Sequence, residues 1–320
     1  MPLKVYENTT DGRIEARDTD YWALLHDEPN PEQSTVDCLT QMMWWAVLFG
    51  NAYAEIVRDG AGRVTHLYPI PPTVVTAGQN DQGQLVYEIK TANGDIVLPS
   101  SEVLTIRGPS PDGTTGYRLV QTARESFGLS LALDRFGSAY FGNNCKVAGV
   151  IKATGALSDA ARENIRAGWV TTYGGVDNAF KVPVLEVGLD FQPFEVSNEA
   201  GQFVQSRQHQ IYEICRWVGV DPIFVFEYGR ATWNNAEAQT RNFLQFSLNP
   251  WLRKLECEIS RKVISPADRG RYYAEFVREA IIQMDTKTQH DVWAIGVDKG
   301  WYTKDEVRKW LNLPKVKEGA

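Results

Sequence analysis

Residues 119–141 read LVQTARESFGLSLALDRFGSAYF. Apolar side chains recur through this stretch at helical spacing for about six turns, and Gly142 and Asn143 end the pattern. A second long helical pattern runs over residues 198–217, again with apolar side chains along one flank. The two predicted helices bracket residues 147–194.

The bracketed segment predicts a small α/β module. A short apolar strand is expected at 147–151, and Ser158 is placed to cap a helix that reaches about residue 173. Two further strands are expected at 182–187 and 189–194. The chain therefore inserts a compact strand, helix and strand module between its two long helices.

The residues before the first long helix predict mostly antiparallel sheet. Ser34 or Thr35 caps a helix that ends near Phe49, and alternating apolar residues separated by glycine and proline turns follow as far as Arg107. The stretch 109–116, rich in Pro, Gly, Asp and Thr, is the clearest internal boundary.

The residues after the second long helix predict a loop and then more helix. Residues 220–235 have no helical period and are expected to form a loop. A long helix starts near Ala236 and must kink or restart at Pro250. A strand at 272–277 and helices at 285–297 and 303–311 complete the chain, the last with a capping box at 303–306.

Composition limits the possible functions. Thirty-three Lys and Arg residues against 40 Asp and Glu residues give a net charge of −7 over 320 residues. This balance argues against a protein whose main work is to grip DNA or RNA, because gripping relies on clustered cations. It does not exclude a protein through which nucleic acid must pass without sticking.

The sequence predicts neither a membrane span nor a secretory signal. The longest apolar run, at 42–49, is far short of the roughly 20 residues that cross a bilayer, and the first 30 residues are rich in charge. The four cysteines contain no C-x-x-C pair, which favours reduced thiols.

No motif in the sequence predicts chemistry. It has neither a Walker-type phosphate loop nor G-x-G-x-x-G, so we expect no nucleotide, cofactor, metal or catalytic residue. The remaining groups fit structural roles better: His209 with Glu213 as a surface contact, Cys215 in the core, Asp27 with Glu28 and Glu256 with Glu258 as solvated carboxylates, and Trp44, Trp45, Trp217 and Trp251 in the core or a subunit interface.

A series of short motifs supports a family resemblance. In chain order they are LHDEPN at 25–30, FGNAY at 49–53, GRVTHLYPI at 62–70, Asp112-Gly113 before Gly116, FGNN at 141–144 before Gly149-Val150, GVDP at 219–222, FLQFSLNPWL at 243–252 and DEVR at 305–308. The chain resembles the HK97-type portal proteins of tailed bacteriophages over almost its whole length. It departs from the family pattern at Thr105, at Tyr117-Arg118 and at Asp221.

The resemblance implies an α+β portal subunit with the following parts: a wing at 1–115, a first stem helix at 116–145, a clip at 146–196, a second stem helix at 197–219, a tunnel loop at 220–235, a kinked helix and strand returning to the wing at 236–278, and a remnant crown at 279–320. The family's usual opening helix is missing. We therefore expect a truncated start.

The resemblance also implies a ring of twelve copies at the capsid vertex, through which double-stranded DNA is packaged and ejected. The implied partners are terminase, the major capsid protein and a head-completion or adaptor protein, first in the host cytoplasm and then in the virion. The residues expected to approach DNA are Glu227, Tyr228, Arg230, Thr232, Trp233, Asn234 and Asn235.

Three alternatives stay open. The 220–235 segment could be an ordinary surface connection. The chain could be a non-portal ring or adaptor of a virus particle, which would lack two long helices around a clip. It could also be an acidic-pair hydrolase, which requires two carboxylates that converge in one cleft.

Overall fold

A computed structural model describes residues 1–10, 12–142, 149–173, 185, 188–193, 199–227, 236–278, 286–311 and 313–314. The chain divides into two compact units. The first unit contains residues 1–42, 53–106 and 231–320, and the second unit contains residues 43–52 and 107–230. The fold mixes helices and sheets, as the sequence predicts.

The elements up to the internal boundary are mostly strands. They are β1 (Leu3–Thr9), β2 (Gly12–Glu15), α1 (Asp20–Trp22) with a π-helical turn (Ala23–Asp27), α2 (Thr35–Phe49), β3 (Asn51–Arg58), β4 (Val64–Ile70), β5 (Val75–Gln79), β6 (Leu85–Thr91), β7 (Gly94–Pro99), a 3₁₀ turn (Ser100–Glu102) and β8 (Val103–Arg107).

The elements after the boundary are mostly helices. They are α3 (Leu119–Thr122), α4 (Arg124–Gly142), β9 (Gly149–Ala153), α5 (Asp159–Tyr173), β10 (Leu189–Pro193), α6 (Glu199–Val218), a 3₁₀ turn (Pro222–Val225), α7 (Ala236–Asn242), a π-helical segment (Phe243–Leu248), α8 (Asn249–Lys262), β11 (Tyr272–Phe276), α9 (Thr286–Asp298) and α10 (Lys304–Trp310).

Local sequence signals explain where many elements start and turn. The Ser34 hydroxyl accepts the Asp37 N–H at 3.2 Å and so caps α2. Asp59 accepts the Ala61 and Arg63 N–H groups and thereby closes the turn between β3 and β4.

The described strands form four antiparallel groups. Their orders are β11-β1-β2, β4-β3-β8, β5-β6-β7 and β10-β9. Within the first unit, Leu3, Met42, Leu104 and Ile259 surround one small void and bring β1, α2, β8 and α8 into a common core. A second cluster joins β3 and β8 to the β5-β6-β7 sheet, with Tyr87 fully buried at its centre.

The structure corrects several predicted elements. The helix expected at 119–141 is broken at Ala123, whose φ of −97° and ψ of 18° lie outside the helical region. The predicted loop at 220–235 begins with a 3₁₀ turn, and the helical turns at 20–27 were not predicted. The predicted strand at 182–187 lies outside the described residues.

The helical segment around Pro250 changes type instead of continuing as one regular helix. The chain passes from α7 through the π-helical segment into α8, where Pro250 occupies the first turn. This position needs no N–H partner, so proline is tolerated there. The predicted restart at Pro250 is confirmed, and the π-helical segment before it was not foreseen.

Burial in the single chain bears on the predictions for the tryptophans and cysteines. Trp44 and Trp217 are 63% and 44% exposed, so of the two predicted locations, a core or a subunit interface, the core does not apply to them. Cys38 and Cys215 are buried as expected, but Cys257 is exposed. Burial raises the pKa of the Cys38 thiol to about 11 and keeps it protonated.

Candidate functional site

The two long helices of the second unit, α4 and α6, lie side by side and run antiparallel. Near one end, the Phe136 and Phe203 rings pack with their centroids 5.7 Å apart. Further along the pair, the Gln210 side-chain amide donates to the Ser126 carbonyl at 2.7 Å and contacts its hydroxyl at 3.0 Å. The ends of the helices that flank the β9-α5-β10 module therefore lie at the same end of the pair.

Gly137 lets the helices approach closely. A Cβ atom at this position would lie 2.6 Å from the Phe203 ring, which is closer than real contacts allow. One turn away, Arg207 and Asp134 form an exposed ion pair at 3.0 Å. A glycine contact, a buried amide and a surface ion pair thus fix the register of the two helices.

The helix pair carries no net charge. The acidic and basic side chains of α4 and α6 balance four against four: Glu125, Asp134, Glu199 and Glu213 against Arg124, Arg135, Arg207 and Arg216. A surface of this kind has no cluster of cations that would bind phosphates tightly.

The same pair exposes large apolar side chains. Leu129, Leu131, Phe136 and Val204 are between 48% and 59% exposed. Apolar groups of this size on one pair of helices are typical of a surface that another protein covers.

A tight backbone crossing precedes the first long helix in the second unit. The Gly108 N–H donates to the Gly50 carbonyl at 2.8 Å, and the Gly116 N–H donates to the Asn51 side chain at 3.2 Å. A Cβ atom on Gly50 would lie 2.5 Å from the Gly116 carbonyl oxygen. Only glycines fit this crossing, which ties the end of α2 to the start of the helix pair.

Asp112 organises the loop within this crossing. Its carboxylate accepts the Thr114 and Thr115 N–H groups at 2.7 and 2.8 Å and the Ser110 hydroxyl at 2.9 Å. These hydrogen bonds, those from the backbone above all, hold the pKa of Asp112 well below its ordinary value of 3.8. The loop is therefore ordered by an ionised carboxylate.

The chain leaves α6 through a short, well-defined turn. Asp221 caps the 3₁₀ turn by accepting the Ile223 N–H at 3.0 Å, and Phe226 follows in a left-handed conformation with φ of 63°. The Glu227 N–H then donates to the Pro222 carbonyl at 3.1 Å. This turn sets the direction in which the predicted tunnel loop begins.

Of the predicted loop residues, Glu227 lies among the described residues and is half-buried. Tyr228, Arg230, Thr232, Trp233, Asn234 and Asn235 lie outside them, so their mutual placement stays a prediction. Sequence reasoning did not single out the apolar residues in the first part of the predicted loop. Phe224, Val225 and Phe226 are 39%, 51% and 79% exposed. The one signal in the sequence for this exposure is the absence of a helical period around them.

The described residues contain no group of three or more His, Cys, Asp or Glu side chains arranged to hold a metal ion. Among the helices of the same residues, none is long and apolar enough to cross a membrane. His209 and Glu213 are 3.7 Å apart on the surface of α6, as predicted.

The interpretation of Glu256 as a solvated carboxylate is wrong. Glu256 is 5% exposed and binds Arg278 at 3.0 Å and the Phe276 N–H at 3.0 Å. Glu258 turns to a different partner, Lys262, at 2.8 Å. The two carboxylates therefore diverge, and Glu256 joins α8 to the strand β11.

One carboxylate that lines the cavity of about 940 Å³ in the first unit, Asp268, makes structural contacts. Asp268 accepts hydrogen bonds from the Tyr21 and Ser265 hydroxyls, each at 2.8 Å. These bonds, with that from Tyr21 the larger contribution, lower the pKa of Asp268. A general acid needs the opposite shift, so this carboxylate is suited to holding the 265–268 turn.

Comparison with known proteins identifies the family. Residues 1–312 match the family model described as phage portal protein. The chain is 30% identical to the probable portal protein of Streptomyces phage phiC31, and the match covers all of this chain and 72% of that protein. It is 25% identical to the portal protein of Enterobacteria phage HK97, over all of this chain and 76% of that protein.

A solved structure shares the fold. It is the neck of an empty gene transfer agent particle, computed with C6 symmetry, with a TM-score of 0.66 and 20% identity over 98% of this chain and 86% of that one. These matches agree with two features of the structure. They are the paired long helices around a small module and the absence of a net charge on that pair. The chain belongs to the phage portal protein family and is of the HK97 type.

Proposed function

We propose that twelve copies of this chain form a ring at a capsid vertex and that double-stranded DNA passes through the ring during packaging and ejection. The observation that carries this proposal is the antiparallel pair of α4 and α6, which is neutral in net charge and exposes apolar side chains along its length. These side chains are the surface that neighbouring copies would cover.

Ring symmetry explains why a neutral pair suits this role. When one face of a subunit binds a different face of the next and the rotation closes, each charge on the central lining is repeated by every copy. A repeated excess of cations would hold DNA through its phosphates, whereas a repeated excess of anions would oppose its entry. A balanced lining avoids both effects.

We assign the approach to DNA to the loop at 220–235, through Glu227, Tyr228, Arg230, Thr232, Trp233, Asn234 and Asn235. The capped turn at 221–226 supports this assignment because it gives the loop a fixed starting point after α6. The amide, hydroxyl and aromatic groups of the loop can contact a duplex weakly and interchangeably, which is what sliding requires.

We further propose that the β9-α5-β10 module is the clip, which would dock terminase during packaging and a head-completion or adaptor protein afterwards. The wing at 1–115 would face the major capsid protein. In this proposal the chain is a structural component of the virion, assembled in the host cytoplasm, and it catalyses no reaction. The arrangement of the module between the paired ends of α4 and α6 supports its assignment.

Native mass spectrometry of the purified chain tests the ring. A ring of twelve copies of the 36.0 kDa chain weighs about 432 kDa. Leu131→Glu, at an exposed position of α4, is expected to prevent the ring from forming. Ile295→Glu, a matched change at a similarly exposed position of α9, should leave it intact. A chain that stays monomeric at every concentration and with every partner would contradict the proposal.

A further inference from the structure

The three-stranded sheet β5-β6-β7 in the first unit ends in two open edges. Among the described residues, β5 and β7 each pair with β6 and with no other strand. The register places Val75, Ile89 and Ile96 in one row across the sheet, and Thr76, Glu88 and Val97 in the next row on the opposite face. The outer edges of β5 and β7 therefore present backbone N–H and C=O groups for pairing.

The core beneath this sheet is left open at β7. In the inner row, Val75 and Ile89 are 7% and 6% exposed, whereas Ile96 at the β7 end is 49% exposed. On the outer face, Val97 is 60% exposed. Asp95 and Pro99, which oppose strand addition, lie towards the two ends of β7, so the aliphatic middle of this edge strand is the part open to another strand.

The other edge of the sheet has the complementary shape. Along β5 the side chains Thr76 and Ala77 are small, and Gly78 has none. A Cβ atom placed on Gly78 would meet nothing within 4 Å. The middle of β7 thus carries bulky aliphatic side chains and the middle of β5 carries small ones, which can lie beside one another on the faces of a joined sheet.

The direction of the strands favours joining these two edges between copies. Both β5 and β7 are antiparallel to β6, so they run parallel to one another. A head-to-tail contact uses two different surfaces of each copy, and repeated by rotation it closes into a ring. Two unlike edges of one sheet, with the same strand direction, meet that requirement.

We propose that β7 of each copy adds to β5 of the next copy, so that the sheets join in parallel pairing around the ring. This inference rests on the ring assembly proposed above and names the contact that closes it in the first unit. The partner is a second copy of this chain, because the small side chains of β5 match the exposed Ile96 and Val97.

Disulfide cross-linking tests the pairing directly. Thr76 and Val97 lie on the same face but are separated by β6, so their Cα atoms are about 9.6 Å apart and one disulfide cannot join them within a chain. The variant Thr76→Cys with Val97→Cys, made in a Cys257→Ser background to remove an exposed thiol, is oxidised with copper phenanthroline. We expect a ladder of three, four and more joined chains.

The controls separate this contact from other arrangements. Through its one new thiol each single cysteine variant can join two chains at most, and the parent background measures any cross-linking through native cysteines. A ladder no stronger than that background, in a sample whose mass shows rings, would overturn the inference and leave the proposed function standing. A sample with neither rings nor a ladder would contradict both.

A second variant tests the contact without cross-linking. Val97→Lys places a charge on the β7 edge and is expected to lower the assembled fraction on the order of tenfold at a fixed concentration. Ile14→Lys is the matched control, because Ile14 is 54% exposed on β2, an edge strand of a different sheet. Equal losses from both variants would count against β7 as the contact.

Discussion

A single buried carboxylate, Glu256, joins α8 to β11 in this fold. It is buried and bound to Arg278 and to the Phe276 N–H. Glu256→Ala would leave the buried Phe276 N–H without its acceptor and remove one of the two acidic partners that Arg278 has among the described residues, so it should lower the free energy of unfolding by about 1–3 kcal/mol. Urea denaturation with a constant m-value would measure this loss.

The control for Glu256 is Glu28→Ala, which removes an exposed acidic side chain. Changes at such positions are usually within about 0.5 kcal/mol. If Glu256→Ala proved as mild as Glu28→Ala, the buried ion pair would have no structural importance and the account of α8 and β11 given above would be wrong.

Asp112 predicts a pH dependence of the loop before the helix pair. Its pKa in the folded protein is below the ordinary 3.8 because backbone N–H groups bind the carboxylate. The stabilisation is therefore present above pH 3.8 and is lost as the pH falls through the lower, folded pKa. Asp112→Asn keeps an oxygen acceptor but cannot titrate.

Melting temperatures measured from neutral pH down through this window test the prediction for Asp112. The parent chain should lose stability more steeply on acidification than Asp112→Asn, since the variant lacks one of the carboxylates that must take up a proton. Parallel curves for the two proteins would show that the carboxylate contributes nothing through its charge.

Two glycines of α4 give opposite expectations for the same substitution. Gly137→Ala would press a Cβ atom into the Phe203 ring and should destabilise the helix pair by about 1–3 kcal/mol. Gly128→Ala meets nothing within 4 Å and should stabilise the same helix by about 0.5–1 kcal/mol. Thermal unfolding of both variants measures the difference, and two changes of the same sign would contradict the packing described here.

Elements fixed by neighbouring residues were predictable from the sequence. The capping box at Thr303 and Glu306 is present, with the Glu306 N–H on the Thr303 hydroxyl at 3.2 Å. Both long helices were also predicted within a few residues. The break at Ala123 was not, because nothing in the local pattern of residues departs from helical spacing there.

Pairings between residues far apart in the sequence could not be predicted from local patterns. The sheet β11-β1-β2 joins strands so far apart that the Arg13 contact with Glu275 spans 262 residues. The burial of Glu256 depends on the same strand, β11, and was missed for the same reason. At the candidate site, the sequence indicated a loop after α6 but could not show that Phe226 within it would be exposed.

At the scale of the whole ring, the balance of charge predicts how tightly the ring binds DNA. Asn234→Lys with Asn235→Lys adds cations to the proposed tunnel loop of every copy. Each added contact with a phosphate releases counterions, so the variant ring should bind duplex DNA more tightly at low salt, and its affinity should fall more steeply as salt rises. Filter binding over a range of salt concentrations measures both effects.

The control for the loop lysines is Gln82→Lys with Ala92→Lys, which adds the same charge at exposed turns of the first unit. This variant should change DNA binding little at moderate salt, where charges outside the tunnel are screened. Equal binding by the two variants would contradict the assignment of the loop to the DNA path.

The pairing of β1 with β11 has a consequence for synthesis. The ribosome makes β1 long before β11, because the strand that pairs with residues 3–7 is residues 272–276. At about 5–20 residues per second, the nascent chain carries β1 without that neighbour for on the order of 10–60 s. The sheet is completed only after β11 has been made, so chains released before that point would keep one edge of β1 unpaired and be early targets for chaperones.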